Sequence, residues 1–365
     1  MYISRTVLIG LVLASSCILS QLNGWALETA SNGTTEHISL IAVGDIMMGS
    51  LYPANLLPPD DGRELFTGVR ELLKSGDIVF GNLEGPLADN NTPVKCRNKS
   101  PYCFEFVTPT RYAAHLKNSG FTVMNVANNH SYDCGIAGAE TTVHTLKSLG
   151  IEAAGGLQIG RMIVKGKKIF VAGFSFTFSE HAYSLHDIDT ARTIISELKR
   201  NHDIVIVSFH GGAEGNSATR LPPGNEMFLG ENRGNVIQFS RAAVEAGADV
   251  VLGHGPHVLR AMEVYKGRLI VYSLGNFAVY RLFNVKGFTG VSMILNILIN
   301  AQSGLFAGGS IVSLKLNQFG LPQIDPSGEA IQLVKKLSNE DVKNNALAIE
   351  ENGFLRINEQ AMKAQ

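Results

Sequence analysis

Short, continuous apolar runs recur along the chain, and each ends at glycine or a polar cluster. His37–Val43, Asp77–Phe80, Thr122–Ala127, Asp203–Ser208, Ala248–Leu252 and Arg268–Ser273 are short and rich in β-branched residues. That is how strands read when both of their faces are covered. Between the runs, apolar positions fall three and four apart. Leu65, Val69, Leu72 and Leu73 predict a helix over 62–75, and further helices are expected over 110–119, 136–149, 187–200 and 231–246. A short strand at Ile151–Ala154, a hairpin over 161–176 turning near Gly166, and two strand-like runs within 289–324 complete the pattern. Helices alternating with all-apolar strands predict an α/β fold, with a mostly parallel sheet covered on both faces and a ligand site outside the strands' carboxyl ends. No internal repeat or Pro-rich linker divides the chain. The expected domain runs from 38 to 325, and a polar, helical tail from 326 to 365.

The first 26 residues follow a different pattern. Arg5 precedes an apolar run from Val7 to Leu19, and a polar stretch then ends at Gly24-Trp25-Ala26. This is the order of a secretory signal cleaved after Ala26. An uncleaved N-terminal anchor is the alternative, with membrane association through the same segment. Either way an exported, periplasmic or cell-envelope protein is expected, and the cysteines take their meaning from that compartment. Cys96 and Cys103 bracket a polar loop and could close a small disulfide. Cys134 is the odd one, read as a buried thiol ahead of a thiolate ligand. Hydrophobic residues make up 45% of the chain and charged ones 17%, which suits a packed globular core. A formal net charge of −1 provides no global field for nucleic acid. The small basic groups Lys95, Arg97, Lys99 and Lys165, Lys167, Lys168 read as solvated loops.

The chemistry concentrates in six segments: GDIMMG (44–49), GNLEGPL (81–87), ANNHSYDCG (127–135), SFHGGAEG (208–215), GHGPH (253–257) and YSLGNF (272–277). Asp45, Glu84, Asn129, His210 and His254 each follow a predicted strand directly, with His130 and His257 close behind. Carboxylates, an amide and imidazoles converging from separate strand ends are what one or two transition metals require. Mixed nitrogen and oxygen donors suit Mn, Fe or Zn better than Ca or Mg. Each residue alone has a plainer reading as a turn or core residue; the coincidence of all of them is what argues for a site. Asn276 reads as a loop-stabilising asparagine or as a substrate contact.

This ordered set resembles the bacterial capsule synthesis CapA, or poly-γ-glutamate synthesis, family, over roughly residues 38–280. The resemblance implies a calcineurin-like metallophosphoesterase-type two-sheet sandwich with flanking helices. It also implies a dimetal site at the strand ends and an envelope role in making or exporting an anionic capsule polymer. The expected partners are that polymer or its synthase and export complex. Carried over residue by residue, Asp45, Glu84, Asn129, His210, His254 and His257 would be metal ligands, with Glu84 bridging. His130 would be the general acid, and Glu214 would orient a ligand or contact substrate.

Some positions depart from the phosphoesterase pattern. Met47 stands where a histidine usually follows the first aspartate, Asn82 and Glu84 replace the usual aspartates, and Gly255-Pro256 separate His254 from His257. Losing a ligand at Met47 leaves a single-ion or weakened second site open. Two functional readings follow: a metal-dependent hydrolase-like enzyme, or a non-catalytic component that holds an anionic polymer in the old cleft.

Overall fold

The computed structural model describes residues 36–89, 93–96, 103–177 and 179–363, so the expected signal or anchor segment lies outside the described residues. In chain order the strands are β1 (His37–Met47), β2 (Ile78–Leu83), β3 (Val123–Asn125), β4 (Glu152–Ala154), β5 (Ile159–Val164), β6 (Lys167–Ser175), β7 (Ile204–His210), β8 (Met227–Phe228), β9 (Glu231–Asn232), β10 (Val250–His254), β11 (Met262–Tyr265), β12 (Arg268–Val271), β13 (Asn276–Val279), β14 (Val291–Asn300), β15 (Phe306–Leu316), β16 (Pro322–Ile324), β17 (Leu347–Ile349) and β18 (Phe354–Ile357).

They form two main sheets rather than one. The first is ten-stranded, in the order β17-β18-β15-β14-β1-β2-β3-β4, with β13 beside β1 and β16 beside β15. The second is six-stranded, in the order β11-β12-β10-β7-β6-β5. Each has a parallel centre (β1 to β4, and β6-β7-β10-β12) flanked by antiparallel pairs. The periodicity predicted a single sheet. A strand apolar on both faces reads the same whether a helix or a second sheet covers it, so the two-sheet sandwich implied by the family resemblance is the arrangement found.

The central core lies between the sheets, where Ile38, Leu40, Ile78 and Phe80 meet Val171, Ile206, Val250 and Val271. Leu65, Phe66, Tyr112, Leu116 and Leu146 cover the outer face of the first sheet. Helices Ile188–Asn201 and Val236–Ala246 cover the second with Ile195, Phe239 and Ala243.

Two segments differ from their expected form. In 62–75 only Arg70–Leu73 is α-helical, though Leu65, Phe66, Val69 and Leu73 are buried as the spacing required. Thr67 and Gly68 are poor helix formers in the middle of that run. The stretch from 326 begins as the expected helix, Glu329–Asp341, but then adds β17 and β18 to the edge of the first sheet. Its polar residues occupy one face of the helix, and Ala330, Val334 and Leu337 pack inward on the other. Cys96 and Cys103 form a disulfide, and Cys134 is buried.

Candidate metal centre

Strand register sets the site. Across the first sheet Asn125 pairs with Asn82, Asn82 with Asp45, and Asp45 with Asn276, a row of four polar residues on β3, β2, β1 and β13. Across the second sheet Ser175 pairs with His210, and His210 with His254. Asp45, Asn82, His210 and His254 therefore close their strands from within. Gly44 permits this arrangement: a Cβ there would sit 1.9 Å from the Gly275 carbonyl oxygen, which accepts a hydrogen bond from the Asp45 N–H.

The two rows meet. Asp45, Glu84 and His210 each bring one donor atom to within 4.8 Å of the others, and all three are buried. His254 Nδ1 lies 3.2 Å from Asp45 Oδ1. His257 joins from the loop after β10, with Nδ1 3.0 Å from Asp45 Oδ2 and Nε2 3.6 Å from Glu84 Oε1. It does so at φ 58°, a left-handed conformation that is unusual for a residue with a side chain and is held by surrounding contacts. Gly212 and Gly255 beside the cluster also have positive φ, 91° and 111°, where a residue with a side chain would be strained.

The charges are held apart by environment. Burial pushes the Asp45 carboxyl upward, but His254 and His257 outweigh it and hold Asp45 well below the usual carboxylate range. Burial raises Glu84 well above its ordinary value, and neighbouring Asp45 and Glu214 add to the effect. Burial keeps the His210 imidazole neutral, the form a metal ligand needs. For His257 burial opposes the charge, yet Glu84 and Asp45 carry its pKa up to about 10.

The donor set fits a divalent cation. Both Glu84 oxygens, Asn129 Oδ1, His210 Nε2 and His254 Nε2 are buried without a hydrogen-bond partner. A buried carboxylate without a hydrogen bond is costly, and a bound cation is what would offset that cost. Met47 adds no donor: it packs with Phe106, Val279 and Leu316 in an apolar cluster.

Residues behind the ligands complete the site, and most were not singled out by sequence. Asn82 Nδ2 donates to Asp45 Oδ1 at 2.8 Å and lies 3.5 Å from His210 Nδ1. Its Oδ1 accepts from Asn125 Nδ2 and Asn128 Nδ2 at 2.8 and 3.2 Å. His130 Nδ1 is 2.7 Å from Asp133 Oδ2, which also accepts the Phe106 N–H. Burial depresses the His130 pKa, against the pull of Asp133. Glu214 is ion-paired with Arg233, whose guanidinium lies over the Phe176 ring, and that ring stacks on His210. Asn276 is fully buried, with Oδ1 3.1 Å from His257 Nδ1 and Nδ2 donating to the Thr289 carbonyl. Its side chain thus bridges the His257 ring and the Thr289 carbonyl. Asp133 could have been found as the only acid in the ANNHSYDCG segment, three residues after His130; Arg233 carried no local signal.

Residues 39–281 match the model of a family described as bacterial capsule synthesis protein PGA_cap. The chain belongs to that family. Among PGA_cap relatives, the PGA biosynthesis protein CapA of Bacillus subtilis is 31% identical over 256 residues, covering 66% of this chain and 63% of that protein. The capsule biosynthesis protein CapA of Bacillus anthracis is 28% identical over 271 residues, covering 69% and 62%. The chain thus spans a little under two thirds of the length of these two relatives. Among solved structures, a putative 5′-nucleotidase from Staphylococcus aureus in complex with α-ketoglutarate overlays with a TM-score of 0.43 at 16% identity, covering 83% of this chain and 58% of that one. Among the described residues, no helix is long and apolar enough to cross a membrane.

Proposed function

We propose that this protein is an exported, metal-dependent hydrolase that acts in making or exporting an anionic capsule polymer of the poly-γ-glutamate type. The observation that carries the reading is the buried Asp45, Glu84 and His210 group, whose donor atoms converge while the Glu84 oxygens and His210 Nε2 lack any hydrogen bond. The relatives' names, a PGA biosynthesis protein and a capsule biosynthesis protein, support the polymer and an envelope role. The polymer's synthase or export complex is the partner on this reading.

Asp45, Glu84, Asn129, His210, His254 and His257 would hold one or two ions, a bound cation replacing the proton that Glu84 and Asp45 otherwise hold on His257, with Mn, Fe or Zn favoured by the mixed donors. A bound ion would supply an ionised water near neutral pH and would polarise the group under attack. His130 supplies the proton to the leaving group. Asp133 occupies its Nδ1, which leaves Nε2 as the working nitrogen. Glu214, anchored by Arg233, faces the same cluster and orients the substrate. Asn276 holds the His257 ring in place.

Elemental mass spectrometry on the purified chain tests this directly. One to two equivalents of Mn, Fe or Zn are expected, with turnover of a chromogenic phosphodiester or a γ-glutamyl anilide. Asp45→Ala and His210→Ala should each lose metal and turnover together. Undiminished turnover by metal-free protein would overturn the proposal. The apolar packing of Met47 favours a second reading, a cleft that holds polymer without cutting it. Polyglutamate binding that survives chelation, with no turnover by metal-loaded protein, would select that reading.

A further inference from the structure

We infer that Lys95 is the residue that receives a carboxylate of the anionic polymer beside the metal cluster, and so helps set specificity for a polyanion. The inference rests on reading the cleft as one that accepts such a polymer, whether or not it cleaves it.

Sequence alone leaves Lys95 as an ordinary loop lysine, but the fold turns it inward. Its Nζ donates to the Asn129 carbonyl at 2.9 Å, and lies 3.4 Å from Asp133 Oδ1 and 3.5 Å from His130 Nδ1. Both neighbours in the chain are pinned. The Val94 N–H donates to the Asp133 carbonyl at 2.7 Å, and the Cys96 N–H donates to Glu105 Oε2 at 2.9 Å. Cys96 is further tied by its disulfide to Cys103. An ammonium on a long flexible stem is thereby delivered to one place, which lowers the entropy lost when it takes up an anion.

Accessibility separates Lys95 from Arg233, another cation near the cluster. The Arg233 side chain is 5% exposed and already engages Glu214 and Glu231. The Lys95 side chain is 32% exposed, and its carboxylate neighbour Asp133 is fully buried and shared with His130 and the Phe106 N–H. Lys95 thus keeps a partly exposed side chain while its ammonium stands among Asn129, Asp133 and His130, at the edge of the cluster of buried carboxylates and imidazoles. An ammonium in that position suits a point-like anionic contact, and the repeated carboxylates of a polyglutamate chain provide one.

The test is equilibrium binding of fluorescently labelled poly-γ-glutamate to the metal-loaded full chain, compared with Lys95→Met and Lys95→Arg. The expected results are a loss of affinity of about tenfold or more in Lys95→Met, restoration to within about threefold in Lys95→Arg, and a weaker salt dependence in Lys95→Met than in the parent. Metal content and thermal midpoint, measured on the same samples, report whether the variant still folds. A correctly folded Lys95→Met that binds the polymer as the parent does would overturn the inference, and so would a parent chain that binds no polymer. If the parent binds but turns over neither test substrate, the hydrolase reading fails while the role of Lys95 stands.

Discussion

At the level of single side chains, Asn82 does more than its place in a GNLEG segment suggests. Its Nδ2 reaches Asp45 and approaches His210, while its Oδ1 takes the amides of Asn125 and Asn128. It therefore helps aim two metal-competent side chains that come from opposite sheets. Outer partners of this kind cost about 10–100-fold in metal affinity when removed. Asn82→Ala should weaken metal binding by that factor, measured by titration against a chelator of known affinity. Affinity unchanged within about twofold would show that the Asp45 and His210 side chains hold their positions unaided. The converging residues Asp45, Glu84 and His210 were legible because each sits where an apolar run stops, and strand ends at one edge of a sheet converge. Asn82 gave no such sign: nothing in the order of residues separates an orienting asparagine from one that merely replaces a phosphoesterase aspartate. Arg233 was hidden for another reason. It approaches His210 only through the Phe176 ring, a contact between segments far apart in the chain.

Strands and their connections raise a separate question, namely what anchors the sandwich at the end away from the metal cluster. Asp77, just before β2, accepts hydrogen bonds from the Ser39 N–H and hydroxyl and from Lys165 Nζ, at 2.8, 2.9 and 2.7 Å. Lys165 lies in the turn between β5 and β6, so this one carboxylate joins β1 and β2 of the first sheet to a hairpin of the second. Partial burial works against its ionised form, but Lys165 and Ser39 outweigh that and hold the pKa below its ordinary value. A carboxylate depressed in the folded state stabilises the fold above the unfolded-state pKa of about 3.9, and loses that contribution as pH falls through the folded value. Urea unfolding of the parent and of Asp77→Asn should differ by about 1 kcal/mol at pH 7, allowing for solvent screening, and converge below about pH 4. A gap that stays constant from pH 7 to pH 3 would mean that the Asp77 charge does no stabilising work. The hairpin over 161–176 was legible from its apolar runs and central glycine. Its docking onto Asp77 was not, because a lysine in a turn reads as solvated until the opposite sheet is in place.

Across the whole molecule, the alternation of helix and strand identified the α/β class, but not that the strands divide between two facing sheets. What distinguishes those arrangements is which strands pair, and pairing is a long-range property that local periodicity does not carry. The C-terminal region illustrates this. The family match ends at residue 281, yet β14 pairs along β1 from His37 to Ala42, β15 pairs along β14, and β18 pairs with β15. The stretch beyond 325 packs Ala330, Val334, Leu337, Leu347 and Leu355 inside. Burying a large aliphatic side chain contributes about 1.5–3 kcal/mol, so four of these residues together rival the 5–15 kcal/mol that separates a typical domain from its unfolded state. Ending the chain at residue 325 would also strip β18 from β15 and leave that part of the strand as an open edge, inviting association between molecules. The truncated protein is therefore expected to accumulate in the insoluble fraction, or to refold without a cooperative thermal transition. A soluble truncation with a sharp transition and parental metal content would show instead that the sandwich closes without its last two strands. Because Asp45 and Asn82 lie on β1 and β2, central strands of the sheet that β14, β15 and β18 extend, loss of metal by a soluble truncated form would mean that β1 no longer presents Asp45 in register with Asn82, which ties the far C-terminus to the site through the strand order.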